Sequence, residues 1–403
     1  MTIEALQAEP LDGRFRSLGV HPGVTVGTVG AQGWSLARRE LPFPVMALRE
    51  SALASNLRVF HGWCERHGVS LAPHGKTTLA PQLIRRQLEA GAWGMTAATV
   101  HQIGVMALGG ARRVLLANEV AGVEEARWLE LLRQEQRIEI WPFVDSVRGV
   151  ELLAAAPRAT PLPVLLELGD HGGRAGCRDG TQARAVADAV AQAGSLVLAG
   201  VTAWEGGLPS AAQVDALLTR THALAHELDA EDRFDGDEII LSAGGSLFFD
   251  RVAELLRPDG FSRPARTIVR SGCYLTHDHG IYATGSPLRD ELRPALQLWG
   301  QILSCPEPGL ALAGFGKRDA PYDLGLPIVE ERIDAAGARH EAHDVEVTAF
   351  NDQHAFLAHD GSLEVGDLVV CGISHPCTAF DKWSLLPVVD DEATVVDAVR
   401  TLF

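Results

Sequence analysis

The sequence predicts an α/β protein in which a closed (β/α)₈ barrel is followed by a second, mostly β C-terminal domain. Three observations predict it. Eight short β-rich runs recur within about two hundred residues, helical segments separate them, and beyond about residue 285 that rhythm gives way to alternating apolar runs.

After a polar opening, PFPVMAL (42–48) reads as a short apolar strand, and Arg49-Glu50-Ser51-Ala52-Leu53 leads into a helix ending near Gly68. The eight runs follow: VSLA (69–72), WGMTAA (93–98), RVLLAN (113–118), IEIWPFVD (138–145), PVLLELG (163–169), LVLAGV (196–201), EIILSAG (238–244) and RTIVRSG (266–272). Between them lie helical segments such as Gly122 to Gln136, with Val123, Ala126, Trp128, Leu129 and Leu132 as its apolar stripe, and Thr181 to Ala193. Strands alternating with helices pair in parallel through crossovers. Runs apolar enough to be covered on both faces favour closure over an open doubly wound sheet. The later runs QLWGQILSC (297–305), HDVEVTAF (343–350), DLVVCGI (367–373) and SLLPVV (384–389) read as strands of the β domain. The expected organisation is a barrel over 44–284 and a β domain over 285–403, with residues 1–43 joining the latter.

Composition narrows the class. In a chain of 403 residues, 46% hydrophobic and 22% charged residues describe an ordinary globular protein. A formal charge of −17 without a basic run argues against nucleic-acid binding. The first twenty residues lack a secretion pattern, and no 18-residue apolar run appears, which argues against a membrane protein. Six scattered cysteines (Cys64, Cys177, Cys273, Cys305, Cys371, Cys377) do not form a disulfide framework. A cytoplasmic protein with reduced thiols is expected.

In a barrel, reactive groups follow strand C-termini. APHGKTTLAP (72–81) puts Lys76 directly after the first barrel run. Gly-Lys-Thr is the tail of a phosphate-binding loop, but the motif's first glycine would fall at Ser70 and Pro73 interrupts the loop, so that reading fails. A lysine here can instead be a Schiff-base amine, made nucleophilic by partial desolvation, or a solvated surface lysine. In HPCTAFDKW (375–383), His375 and Cys377 follow an apolar strand, and i, i+2 spacing on extended chain puts both on one face. Imidazole and thiolate can share one borderline metal, and the thiolate favours zinc over magnesium or manganese. LELGDHGGRAG (166–176) offers Arg174 for an anionic oxygen, and the turns SAGGS (242–246) and RSGC (270–273) can cradle phosphate or serve only as turns.

Taken together, the lysine after the first barrel strand, the late β domain and the His-x-Cys pair resemble the alanine-racemase-like (fold type III) pyridoxal-phosphate enzymes, and within them the D-serine dehydratase and D-threonine aldolase group. HGKT and SHPC in this order carry the resemblance, which spans Pro44 to Trp383. It implies that Lys76 is the Schiff-base lysine of pyridoxal 5'-phosphate, that His375 and Cys377 bind Zn²⁺, and that Arg174 faces the cofactor's ring oxygen. It further implies that Gly244, Gly245, Ser246, Gly272 and Cys273 hold the phosphate, although this chain has GGS where relatives often have GGTGT, and that Arg270 points toward the pyridine nitrogen. His354 and Asp381 are candidates to support the metal site, on nearness in sequence alone. A homodimer is implied as well.

The expected activity is β-elimination from a β-hydroxy D-amino acid such as D-serine or D-threonine, giving an α-keto acid and ammonia. Lys76 would remove the α-proton, and zinc would assist departure of the β-hydroxyl, an otherwise poor leaving group. The alternatives are retro-aldol cleavage to glycine and an aldehyde at the same metal, and a pyridoxal-phosphate-binding protein with a regulatory or carrier role.

Overall fold

The computed structural model describes residues 2–19 and 21–403. The chain divides into two compact units, one comprising Phe60–Lys76 and Ile84–Gly272, the other the chain up to Val59 together with Thr77–Leu83 and Cys273–Phe403.

The first unit is the predicted barrel. Its eight strands, Ser70–Leu71, Met95–Ala97, Arg113–Glu119, Glu139–Val144, Leu162–Leu168, Leu196–Ala203, Ile239–Ala243 and Ala265–Val269, form one parallel sheet. A parallel bridge between His74 and Thr96 joins its first and second strands. Every one of the eight predicted runs supplies a strand. Ala72, Leu115, Trp141, Phe143, Leu165, Ala199, Ile240 and Ile268 pack as an internal apolar cluster, so the barrel has a filled core.

The helices start where local chemistry directs. Thr99, Ser146, Asp179 and Ser210 each accept a backbone N–H from the first turn of the helix that follows, and Gly194 ends Gly180–Ala193 at φ 64°. In Val123–Gln136 the expected stripe holds at Ala126 and Leu129, which are buried, but Trp128 is 67% exposed. Two residues along a helix turn the side chain through about 200°, which carries Trp128 off the face of Ala126.

The second unit is built on a ten-stranded sheet. The four late runs contribute Leu296–Glu307, Glu346–Phe350, Leu368–Gly372 and Leu385–Val389. The early strand Val45–Arg49 lies here too, antiparallel to Leu296–Glu307 and parallel to Leu385–Val389. Among the described residues no helix is long and apolar enough to cross a membrane.

One buried amide anchors the segment that leads away from Cys273. Asn56 Nδ2 donates to Leu275 O (2.9 Å) and Arg293 O (2.8 Å), and its Oδ1 accepts from Arg293 N (2.8 Å). Asn56 is fully buried, so removing it leaves these groups without water as a substitute. Asn56→Ala is expected to destabilise this unit by about 2–4 kcal/mol, read as a lower urea midpoint; an unchanged midpoint would refute the anchoring role.

Candidate active site

The candidate residues fall into two groups, one in each unit. In the barrel, Lys76 is exposed in the short helical turn Gly75–Thr77, just past the first strand. Arg270, past the last strand, is buried and held by three hydrogen bonds: it donates to Thr202 Oγ1 (2.9 Å), Ser242 Oγ (2.8 Å) and Ala203 O (2.8 Å), and lies over the Phe143 ring. Gly272 is required by crowding, since a Cβ there would lie 2.4 Å from His74 O. Arg174 is half exposed, stacked 4.1 Å from the Trp204 ring centre and 4.0 Å from Glu167.

The glycine turn carries a feature that sequence reasoning missed. The N–H groups of Gly244 (3.1 Å) and Gly245 (2.7 Å) both donate to the carboxylate of Glu205, which is fully buried. Ser271 Oγ donates to Gly245 O, tying the two turns together. Ser246 is half-buried beside them. Glu205 follows the strand Leu196–Ala203, but nothing in its local sequence says that its carboxylate caps a turn forty residues later.

A second missed feature is a carboxyl pair. Glu119 ends the strand Arg113–Glu119 and Glu167 lies near the end of Leu162–Leu168, with one strand between them; their Oε1 atoms are buried without a hydrogen-bond partner, Arg174 lying 4.0 Å from that of Glu167, and the two carboxyl groups interact with each other. Burial first, and then the hydrogen bond with Glu119, push Glu167 up to about 8, while Arg270 and Arg174 pull the other way. His74, whose Nδ1 is buried without a partner, is held well below the usual imidazole range by burial and then by Lys76, Arg270 and Arg174.

In the second unit, Cys377 opens the short helix Cys377–Phe380. Its Sγ lies 3.4 Å from Cys273 Sγ and 3.4 Å from Thr77 Oγ1, and Thr77 Oγ1 is also 3.4 Å from Cys273 Sγ. The Cys273 thiol, then His375 and Thr77, hold Cys377 down to about 4 against its burial. Cys377, and after it Asp323, raise His375 to about 9 despite burial. His375 Nδ1 donates to Asp323 Oδ2 (2.7 Å), and Thr378 Oγ1 donates to Asp323 Oδ1 (3.0 Å). Asp323, in neither of the positions anticipated at His354 and Asp381, therefore orients the imidazole and leaves Nε2 free to ligate once it has lost its proton. Burial alone would raise Asp323, but its hydrogen bonds from His375 and Thr378 bring it below the usual range. Asp278 is also near, buried and raised by that burial, with its Oδ1 accepting Gly280 N (2.8 Å) and Tyr282 N (2.9 Å). Among the described residues no three His, Cys, Asp or Glu side chains form a ready-made metal cage.

The family model for "Alanine racemase, N-terminal domain" matches residues 48–280, more than half of the chain. The chain belongs to that family. A second model, "Putative serine dehydratase domain", matches residues 295–389, and the two together follow the order of the HGKT and SHPC motifs. A D-threonine aldolase from Arthrobacter sp is 24% identical over 356 residues, covering 86% of this chain and 87% of that protein. Among solved structures, D-threonine aldolase from Filomicrobium marinum superposes with a TM-score of 0.76 at 23% identity, covering 92% of this chain and 96% of that one. D-threo-3-hydroxyaspartate dehydratase from Delftia sp. HT23 does so at 0.72 and 21%, covering 91% and 99%. These superpositions bear out the alanine-racemase-like fold.

The Glu119–Glu167 pair makes a pH prediction. A carboxyl raised from 4.5 to about 8 keeps a proton in the folded chain that the unfolded chain releases. Its contribution is therefore fully present below pH 4.5 and is lost as pH rises through about 8. Between pH 5 and 9 the melting temperature of the wild type is expected to fall more steeply than that of Glu167→Gln. Parallel profiles would show that Glu167 does not hold the proton.

Proposed function

We propose that the chain is a pyridoxal-phosphate- and zinc-dependent lyase that removes the β-hydroxyl and then the amino group of a β-hydroxy D-amino acid such as D-serine or D-threonine, yielding an α-keto acid and ammonia. The observation that carries this reading is the thiol and imidazole at Cys377 and His375 together with Thr77, the residue after Lys76, whose Oγ1 is 3.4 Å from Cys377 Sγ.

The residues suit both groups. Asp323 on His375 Nδ1 is the carboxylate–imidazole arrangement that a metal-ligating histidine favours, and the lowered Cys377 supplies a thiolate. The immobilised Arg270 guanidinium and the Cβ-free turn at Gly272 suit a rigid, phosphorylated ring compound. Pyridoxal phosphate supplies an electron sink for a carbanion at the α-carbon, and zinc a Lewis acid for an oxygen leaving from the β-carbon.

The chain's own residues do the rest. Lys76 Nζ holds the cofactor and, once free, takes the α-proton. Arg270, with three acceptors satisfied, keeps its charge in a fixed direction toward the ring nitrogen. Because Glu205 occupies the N–H groups of Gly244 and Gly245, the phosphate falls chiefly to Ser246, Gly272 and Cys273. Arg174 keeps its place on Trp204 and faces the ring oxygen. His375 and Cys377 hold the metal, and Asp323 fixes the imidazole tautomer. A homodimer in the cytoplasm is part of the same proposal.

A second reading, retro-aldol cleavage to glycine and an aldehyde, is favoured by the likeness to the D-threonine aldolase of Arthrobacter sp. The thiolate at Cys377, which suits a softer metal, favours elimination.

Incubation of the reconstituted enzyme with D-serine and D-threonine is expected to release ammonia with pyruvate or 2-oxobutyrate. Glycine and acetaldehyde from D-threonine would reverse the order of the two readings, and neither set of products would exclude both. Lys76→Ala is expected to lower turnover by about 10³-fold or more and to abolish the visible absorbance of lysine-bound cofactor; retention of that absorbance would refute the assignment of Lys76.

A further inference from the structure

We infer that Cys273 is a third protein ligand of the metal, so that zinc is held by two thiolates and one imidazole with a single position open. This rests on the reading that His375 and Cys377 bind zinc. It gives the Cys273 side chain a role separate from its backbone N–H in the phosphate turn.

The geometry of the two sulfurs carries the inference. Cys273 Sγ and Cys377 Sγ are 3.4 Å apart, and both residues are free cysteines. Two thiolates on one tetrahedral zinc at about 2.3 Å each stand roughly 3.8 Å from one another. A separation of a few tenths of an ångström therefore distinguishes the pair as described from the pair as ligands. Among the described residues no other two cysteines are in sulfur contact; Cys64, Cys177 and Cys371 are each buried elsewhere.

The segment bearing Cys273 is also rigid. Its carbonyl accepts His277 N (2.8 Å) and Thr276 N (3.2 Å), closing the turn Cys273–Leu275, and Asn56 fastens Leu275. Such a thiol is presented rather than tethered, which favours a ligand over a side chain that must be gathered. Thr77 Oγ1, 3.4 Å from both sulfurs, can donate to either thiolate, the support that metal-bound sulfur commonly receives. The three donors do not yet surround one point, so ligation requires the imidazole, which already meets Cys377, to turn Nε2 toward the ion while Nδ1 stays on Asp323.

Metal binding releases the Cys273 thiol proton and the His375 Nε2 proton to solvent, Cys377 being a thiolate already, and the two Zn–S bonds and one Zn–N bond leave one coordination position for a substrate oxygen. Three protein ligands and one open position are the usual composition of a catalytic zinc, whereas four would close it. Two thiolates also set metal choice: magnesium and manganese, which prefer oxygen donors, are disfavoured at this site.

The test is X-ray absorption at the zinc edge on the full-length, zinc-loaded protein, with Cys273→Ser, Cys273→Ala and the control Cys305→Ser. The wild type and the control are expected to show two sulfur scatterers per zinc, and each Cys273 variant one. Zinc affinity, measured by chelator competition, is expected to fall about 10-fold or more in the Cys273 variants. One sulfur per zinc in the wild type overturns the inference while leaving the His375–Cys377 pair intact, and it does so without recourse to any variant. Failure to bind one zinc per chain, or zinc without sulfur, overturns the pair and this inference together.

Discussion

The hydrogen bonds that close the barrel, Trp93 N–H to Leu71 O at 2.8 Å and Thr96 N–H to Pro73 O at 2.9 Å, decide where its chemistry lies. They bring the second strand beside the first in the same direction as every other pair. All C-terminal ends then share one rim, and Lys76, Glu119, Glu167, Glu205, Gly244 and Arg270 each stand at or just beyond such an end. The interior offers no alternative, because Trp141, Phe143, Leu165 and their neighbours fill it. The rim is where polar groups can meet a ligand without displacing the core.

Placing charges at that rim has an electrostatic cost that the fold meets in three different ways. Arg270 keeps its charge through acceptors from Thr202, Ser242 and Ala203. Glu205 is accommodated by two backbone N–H donors. Glu167, lacking either solution, retains a proton against Glu119. In the other unit the same logic runs through contact with opposite charge: His375 stands between Asp323 and Cys377, each favouring its protonated form.

Much of the fold was legible because strand and helix periodicities are local. All eight barrel runs could be read from apolar composition and spacing, as could the four late strands. Trp128 escaped because a large apolar side chain counts toward a stripe even when the helical angle carries it to solvent. Val45–Arg49 was legible as a strand, but its partners are Leu296–Glu307 and Leu385–Val389, some hundreds of residues away, and no local pattern selects between sheets. Asp323 lies in a loop with no motif of its own, fifty-two residues before the histidine it orients.

The alternation of elements, the lysine after the first barrel strand and the His-x-Cys pair after a late one are all written locally in the chain, because each depends on neighbours within a few residues. Folding alone brings Cys273 and Thr77 to Cys377, gives the glycine N–H groups to Glu205, and sets Glu119 against Glu167 at the rim. Those relations join residues from 39 to 300 positions apart. They arise from strand register and burial, which act on the folded chain as a whole.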